Sequence, residues 1–151
     1  MRFQRIMCAT DFSPQARVAL EYAAELSRRL EVPLLLLAAF QIPIYPLPEG
    51  VMVRTSETIS QLLTQTSDDL ARARALATEL GARDIETVVV EGNPAAEIVR
   101  VASERKLDLI VMGSHGRGGI SRAILGSVAD KVMRTAPCPV MIVAHGQEHP
   151  A

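Results

Sequence analysis

Short apolar runs of strand length alternate with stretches of helical periodicity along the chain. The first apolar run covers residues 2–10, and Ser13 and Pro14 follow it as a capping hydroxyl and a proline, a pair typical of a helix start. Apolar residues then recur at helical spacing in one stripe, Ala19, Tyr22, Ala23, Leu26 and Leu30. A continuous aliphatic run over 33–40 comes next, as is typical of a parallel strand covered on both faces. The pattern therefore predicts a strand, a helix and a second strand.

The same alternation resumes after a proline-rich interruption. Segment 41–55 contains Pro43, Pro46, Pro48 and Gly50, which predicts a loop of unusual length. The pattern then predicts, in order, a helix that ends at Gly81, a strand over 85–90, a helix that starts at Asn93, a strand over 107–112, a glycine-rich loop with a helix, and a strand over 140–144. Strands and helices alternate without repeat or linker. The expected fold is one α/β domain over 1–151, an open, doubly wound parallel sheet with helices on both faces.

Composition narrows the classes of protein that remain. The chain has 151 residues, of which 48% are hydrophobic and 3% aromatic, so it can build an aliphatic core without a disulfide or a metal. The net charge of −1 argues against nucleic acid or an anionic membrane as a partner. The longest apolar run, 32–40, is too short to cross a bilayer, and no secretory signal follows Arg2 and Arg5. We therefore expect a cytoplasmic protein in which Cys8 and Cys138 are buried and unpaired.

Open α/β sheets bind ligands beyond the carboxyl ends of their strands, where the strand order reverses. In this sequence Thr10 and Asp11 follow the first strand, Ala39 lies at the end of the second, and a glycine-rich segment over 113–127 follows the fourth. We expect these residues to meet in one site. Asp11 has an alternative role, since its carboxylate would also suit a cap for the first helix next to Ser13.

The glycine-rich segment 113–127 is the most distinctive part of the chain. Glycines let successive amides converge on an anion, and Gly126 and Ser127 begin the last helix, where unpaired N–H groups and the helix dipole favour phosphate. Arg117 adds positive charge. These features predict a phosphate site; the alternative, which the spacing favours less, is that the glycines serve only turn geometry.

Several familiar enzyme signatures are missing from the sequence. It has no GxxxxGK[ST] loop, no GxGxxG after the first strand and no GxSxG elbow, which argues against P-loop enzymes, dinucleotide-binding folds and α/β-hydrolases. The three histidines do not have the spacing of a metal site. No carboxylate stands next to His115 to orient it as a base, so no catalytic residue is predicted.

The glycine spacing Gly113-x2-Gly116-x9-Gly126-Ser127 resembles the ATP-binding signature of the universal stress protein family. The similarity extends over 108–116 on one side and through 126–143 on the other. The opening segment 6–13 is similar as well, so the resemblance covers nearly the whole chain.

The resemblance implies a Rossmann-like sheet of five strands in the order 3-2-1-4-5, with the first and fourth strands side by side. The implied ligand is ATP or a related adenine nucleotide, with or without Mg²⁺. Asp11 would contact the ribose or the adenine, and Ala39 would form the adenine wall, where the family often has valine. The other expected contacts are Thr10, His115 and Arg117, then Met112 and Gly113 on the nucleoside side, and Gly116, Gly126, Ser127 and Val128 on the phosphate side. By itself, Met112 would suit the core equally well.

Three functions remain open at this point. The resemblance favours a nucleotide-binding stress or signalling protein that hydrolyses ATP slowly or not at all. The second is an ATP-consuming enzyme; against it, the chain lacks a P-loop lysine and offers magnesium few carboxylates, Asp11, Glu91 and Glu97. The third is a scaffold that has kept the fold and lost the nucleotide. The resemblance also implies a homodimer through strand 140–144, an uncharged strand at the sheet edge.

Overall fold

The computed structural model describes residues 2–42, 55–115 and 124–144, so most of the predicted loop over 41–55 lies outside the described residues. Strands and helices alternate as the sequence pattern predicts. Their bounds are β1 Ile6–Ala9, α1 Pro14–Leu30, β2 Pro33–Phe40, α2 Ser56–Glu79, β3 Arg83–Glu91, α3 Pro94–Glu104, β4 Leu109–Gly113, α4 Ser127–Thr135 and β5 Val140–Val143. None of the described helices combines the length and apolar character that a membrane span requires.

The four strand pairings among the described residues are all parallel, and the order across the sheet is β3-β2-β1-β4-β5. The predicted fold class and strand order are therefore confirmed. Cys8 in β1 pairs with Leu36 on one side and with Val111 on the other. The chain order reverses between β1 and β4, and this reversal opens a crevice at the carboxyl ends of the strands.

Each face of the sheet carries its own aliphatic core. Ile6 and Cys8 of β1 pack into the core beneath α1 and α2, whereas Met7 and Ala9 pack into the core beneath α3 and α4. Successive side chains of a strand point to opposite faces, so an uninterrupted apolar run supplies both cores at once.

Strand β1 is shorter than the predicted run over 2–10. The carboxylate of Asp108, just before β4, accepts hydrogen bonds from the N–H groups of Gln4 at 2.7 Å and Arg5 at 2.9 Å. Because these amides bind a side chain instead of a strand neighbour, regular pairing begins only at Ile6.

The apolar stripe predicted for α1 is partly wrong. Tyr22 is 47% exposed and Leu30 is 40% exposed. The face that packs on the sheet consists mainly of small residues, Ala16, Ala19, Leu20, Ala23, Ala24 and Ser27. Alanines let the helix approach the strands closely, so the larger side chains lie at the flanks.

Both cysteines are unpaired, as expected. Cys8 is fully buried, and its burial raises the pKa of the thiol to about 12. Cys138 was expected to be buried but is only half-buried; its burial, with a smaller effect from the Asp108 carboxylate, also raises the thiol pKa. Since the thiolate is the nucleophile, neither sulfur is activated.

Ser27 connects three elements at the end of the sheet opposite the crevice. Its buried hydroxyl donates to the carbonyl of Val32 at 2.7 Å and accepts from the N–H of Arg83 at 2.9 Å. These bonds join the end of α1 to the starts of β2 and β3.

We predict that Ser27→Ala destabilises the protein by about 1–3 kcal/mol, because a buried donor and acceptor lose their shared partner. Urea unfolding followed by circular dichroism measures the change. The matched control is Ser67→Ala on the exposed face of α2, which should stay within about 0.5 kcal/mol of the unsubstituted protein. Equal unfolding midpoints for the two variants would contradict the prediction.

Candidate functional site

A cavity of about 570 Å³ lies at the carboxyl ends of the strands, where the strand order reverses. It brings together most of the residues predicted from the sequence, namely Thr10, Asp11, Ala39, Met112, Gly113, His115, Gly126, Ser127 and Val128. Gly116 and Arg117 lie outside the described residues. Further lining residues that the sequence did not single out include Gln41, Pro94, Ile98 and Ser114.

The turn after β1 is held by side chains that also line the cavity. Thr10 Oγ1 accepts from the N–H of Phe12 at 3.1 Å, and Asp11 Oδ1 accepts from the N–H of Ser13 at 3.0 Å. The cap of α1 is Ser13, whose hydroxyl accepts from the N–H of Ala16 at 3.1 Å. The hydrogen bond of Asp11 therefore stabilises the turn before α1, because it ends on the N-cap residue Ser13 and does not reach the N–H groups of the helix itself. A carboxylate has about four acceptor positions, so this bond by itself does not occupy all of them.

The start of α4 is bound directly to the end of β4. The N–H of Gly126 donates to the carbonyl of Ser114 at 2.7 Å, and the N–H of Ser114 donates to Val143 of β5 at 3.0 Å. A Cβ atom on Gly126 would lie 2.9 Å from the Ser114 oxygen and 3.2 Å from the Cα of His115. Glycine is thus required at this position by close backbone approach, before any ligand is considered.

Three helix N-termini face the cavity, through Ala16 of α1, Pro94 of α3 and Ser127 of α4. Each N-terminus carries a partial positive charge of about half an elementary unit. Among the described lining residues there is one carboxylate, Asp11, and neither lysine nor arginine. Over this part of the chain, helix dipoles therefore supply the positive potential that favours an anion.

The three N-termini differ in how they are capped. Ser13 accepts from the N–H of Ala16 in α1, and Asn93 accepts from the N–H of Ala96 in α3. The N-cap of α4 is Gly126, which has no side chain to fill this role. The first amides of α4 therefore have no side-chain cap, and this N-terminus is the best suited of the three to bind phosphate.

The other end of the cavity is apolar. Leu37 and Ala39 of β2 and Met112 of β4 face it from the sheet, and Pro94 and Ile98 face it from α3. Met112 is buried in the core beneath α3 and α4 and lines the cavity as well, so both roles considered for it apply. A flat heterocycle fits such a wall, because ligand pockets are mainly apolar with few polar contacts.

The sequence pattern predicted α3 only as a helix that starts at Asn93 and did not place it in the site. The pairing of β2 with β1 brings the end of β2 next to the end of β1, and α3 packs over β2. No local signal distinguishes a cavity-lining isoleucine from a core isoleucine.

The described residues contain no group of three metal-ligating side chains. His115 lines the cavity, and its Nδ1 lies 2.9 Å from the hydroxyl of Ser114. Ser114 itself is 7% exposed. It could not be singled out from the sequence, because a serine inside a glycine-rich loop has no distinguishing pattern.

The profile of the universal stress protein family matches residues 2–144. The chain belongs to this family. The universal stress protein MJ0531 of Methanocaldococcus jannaschii is 35% identical over 144 residues, which cover 93% of this chain and 82% of that relative. The resemblance inferred from the glycine spacing is thereby confirmed.

Solved universal stress proteins share the fold and include nucleotide complexes. One in complex with cAMP has a TM-score of 0.74 at 27% identity and covers 97% of this chain and 100% of its own. The protein from Archaeoglobus fulgidus in complex with dAMP has a TM-score of 0.64 at 26% identity, with coverage of 95% and 99%.

We predict that Gly126→Ala displaces the start of α4 and lowers the unfolding free energy by about 1–3 kcal/mol, the usual cost of overpacking. The new methyl group would lie 2.9 Å from the oxygen that accepts the Gly126 N–H bond. Thermal unfolding measures the loss. Ser127→Ala is the control, since it removes an exposed hydroxyl and adds no atom. Equal stability of the two variants would show that the contact does not constrain position 126.

Proposed function

We propose that this protein binds an adenine nucleotide, with ATP as the expected ligand, in the cavity between the ends of β1 and β4, and acts in stress response or signalling. The observation that carries the proposal is the N-terminus of α4, which faces the cavity without a side-chain cap. A phosphate group would accept from its amides. The cAMP and dAMP complexes of other family members support the same ligand class.

The ligand orientation follows from the polarity of the two ends. The adenine would lie against Ala39 and Met112, with Ile98 across the slot. The ribose would reach Asp11, and the phosphates would lie at Gly126–Val128. This orientation matches an apolar group to the apolar wall and an anion to the helix dipole. The contacts assigned to Gly116 and Arg117 remain predictions.

Slow or absent hydrolysis is part of the proposal. Fast phosphoryl transfer relies on positioned metal ions and cationic side chains. Within the described lining, Asp11 is the one carboxylate, so a Mg²⁺ ion accompanying ATP would be held mainly by phosphates and water. The proposal also includes a cytoplasmic location and no nucleic-acid or membrane partner, which the net charge of −1 supports.

We predict that Ser127→Ala weakens ATP binding by about 1 kcal/mol, roughly five-fold, through loss of one hydrogen bond. Isothermal titration calorimetry with ATP, AMP and cAMP measures the affinities. The matched control is Ser56→Ala, because Ser56 is the first residue of α2 and Ser127 is the first residue of α4. Ser56 does not line the cavity, so its variant should bind as the unsubstituted protein does.

The same preparations distinguish the alternative functions. Phosphate release from ATP should be far below the median enzyme turnover of about 10 s⁻¹. A rate in that range that survives further purification would favour an ATP-consuming enzyme. If no adenine nucleotide binds the unsubstituted protein, the proposal is wrong and a nucleotide-free scaffold remains.

We further propose a homodimer through the edge strand β5. Its residues, Val140–Val143, carry no charge, whereas the opposite edge strand β3 carries Arg83, Glu86 and Glu91. Charged residues protect an edge strand against pairing, and β5 lacks them. Antiparallel pairing of two β5 strands across a two-fold axis would close the assembly.

Met141→Arg is expected to give a monomer, because pairing would bury an unpaired charge. The structure makes position 141 a better test than position 143, since Val143 belongs to the buried core. Light scattering coupled to size exclusion measures the mass, and circular dichroism verifies the fold. Thr87→Arg on the opposite edge is the control and should remain dimeric. A monomeric unsubstituted protein at micromolar concentration would refute the proposal.

A further inference from the structure

Ser114 is held in place from several directions at the end of β4. Its N–H donates to Val143 at 3.0 Å, and its carbonyl accepts from Gly126 at 2.7 Å. Its hydroxyl, in a residue that is 7% exposed, lies 2.9 Å from Nδ1 of His115. The backbone bonds join Ser114 to β5 and to the start of α4, so the hydroxyl presents a well-defined partner to the imidazole.

The other nitrogen of the His115 imidazole, Nε2, lacks among the described residues the hydrogen-bond partner that a buried polar atom normally has. His115 Nε2 is buried and has no hydrogen-bond partner within the described part of the chain. A buried polar atom without a partner has lost its hydrogen bond to water and gained none in exchange, which is unfavourable. His115 lines the cavity, so a bound ligand can supply the missing partner.

His115 lies at the phosphate end of this cavity. Its Cα is 3.2 Å from the position that a Cβ atom of Gly126 would take, and Gly126 is the N-cap of α4. The backbone of His115 therefore lies beside the amides proposed to bind phosphate. A phosphate oxygen bound at the start of α4 is therefore the ligand atom expected next to His115.

We infer that Ser114 is a positioning residue that sets the tautomer of His115 for phosphate recognition. The Ser114 hydroxyl donates to Nδ1, so in the neutral ring the proton resides on Nε2. Nε2–H then donates to a phosphate oxygen of the nucleotide. This inference rests on the proposed function and narrows it, because the ligand must carry a phosphate group and adenosine alone would gain nothing from His115.

A nucleophilic role for the Ser114–His115 pair does not fit the geometry. An activated serine needs a base that is itself oriented by a third group and an oxygen that can reach the substrate. Here Ser114 is buried, and no described residue forms a hydrogen bond with Nε2 that would orient the ring. The arrangement suits a hydrogen-bond donor to the ligand.

The test compares two isosteric substitutions of His115. Gln places its amide near the position of Nε2, and Asn places its amide near Nδ1. We expect His115→Asn to weaken AMP and ATP binding about ten-fold or more, the range for a hydrogen bond to a charged group. We expect His115→Gln to remain within about three-fold of the unsubstituted protein, and adenosine binding to be unchanged in both variants.

Nitrogen-15 NMR of the histidine ring provides a readout that a purely structural role would not change. In the unsubstituted protein we expect the Nε2–H tautomer of His115, in the free state and with AMP bound. In Ser114→Ala the tautomer preference should relax, and AMP affinity should fall while adenosine affinity stays the same. Thermal unfolding of each variant verifies that the fold is retained.

The outcomes separate this inference from the proposed function. If the His115 variants lose adenosine binding together with AMP binding, His115 has a structural role and the inference is overturned. An Nδ1–H tautomer in the AMP complex would make Nε2 a hydrogen-bond acceptor, and this result overturns the inference as well. Unchanged AMP binding in His115→Asn overturns it as well, while nucleotide binding itself stands. If the unsubstituted protein binds no adenine nucleotide, the proposed function fails and the inference fails with it. The tautomer measured on the unsubstituted protein decides the case if a variant does not fold.

Discussion

Complete burial of the central strand is the constraint from which the rest of the architecture follows. The residues of β1, Ile6–Ala9, are covered above and below and pair with a strand on each side. Such a strand must be apolar on both faces, and helices must cover both faces of the sheet around it. Right-handed crossovers then carry the chain first to one side of β1 and later to the other. The reversal leaves a crevice at the carboxyl end of β1, and the candidate site occupies it.

The candidate site offers backbone groups where many nucleotide-binding proteins have a lysine. Over the described residues, the positive potential comes from helix N-termini that converge on one cavity. Two of these ends are closed by the side chains of Ser13 and Asn93, and the third begins at Gly126 without a side-chain cap. The same glycine that leaves the amides of α4 uncapped also permits the close contact with Ser114. One residue thus serves both the packing of α4 and its capacity to bind an anion.

Ser114 links the sheet, the last helix and the site. Through its backbone it bonds to β5 and to the N-cap of α4, and through its hydroxyl it reaches His115. Hydrogen bonds of 2.7–3.0 Å therefore connect β5 to the start of α4 and to His115 through this one residue. The edge strand proposed to form a dimer and the site proposed to bind nucleotide are neighbours in this network.

The sequence by itself determined the order and type of the elements, because the information for them is local. Ser13 and Pro14, and likewise Asn93 and Pro94, mark helix starts through capping and fixed φ, and the structure begins α1 and α3 at those prolines. The glycine spacing is also local, and it carried the family resemblance. That resemblance indicated the strand order and nine of the residues that line the cavity. Periodicity alone does not specify strand order, since any right-handed arrangement of the strands satisfies it.

Tertiary structure decided the features that depend on partners distant in the chain. The start of β1 depends on Asp108, whose carboxylate binds amides more than 100 residues earlier. The participation of Pro94 and Ile98 in the cavity depends on how α3 packs over β2. The roles of Ser114 and the Nε2 atom of His115 depend on burial and on hydrogen bonds to β5 and α4, which no local pattern encodes. Packing across the chain assigns these roles, because a side chain's chemistry depends on which groups surround it.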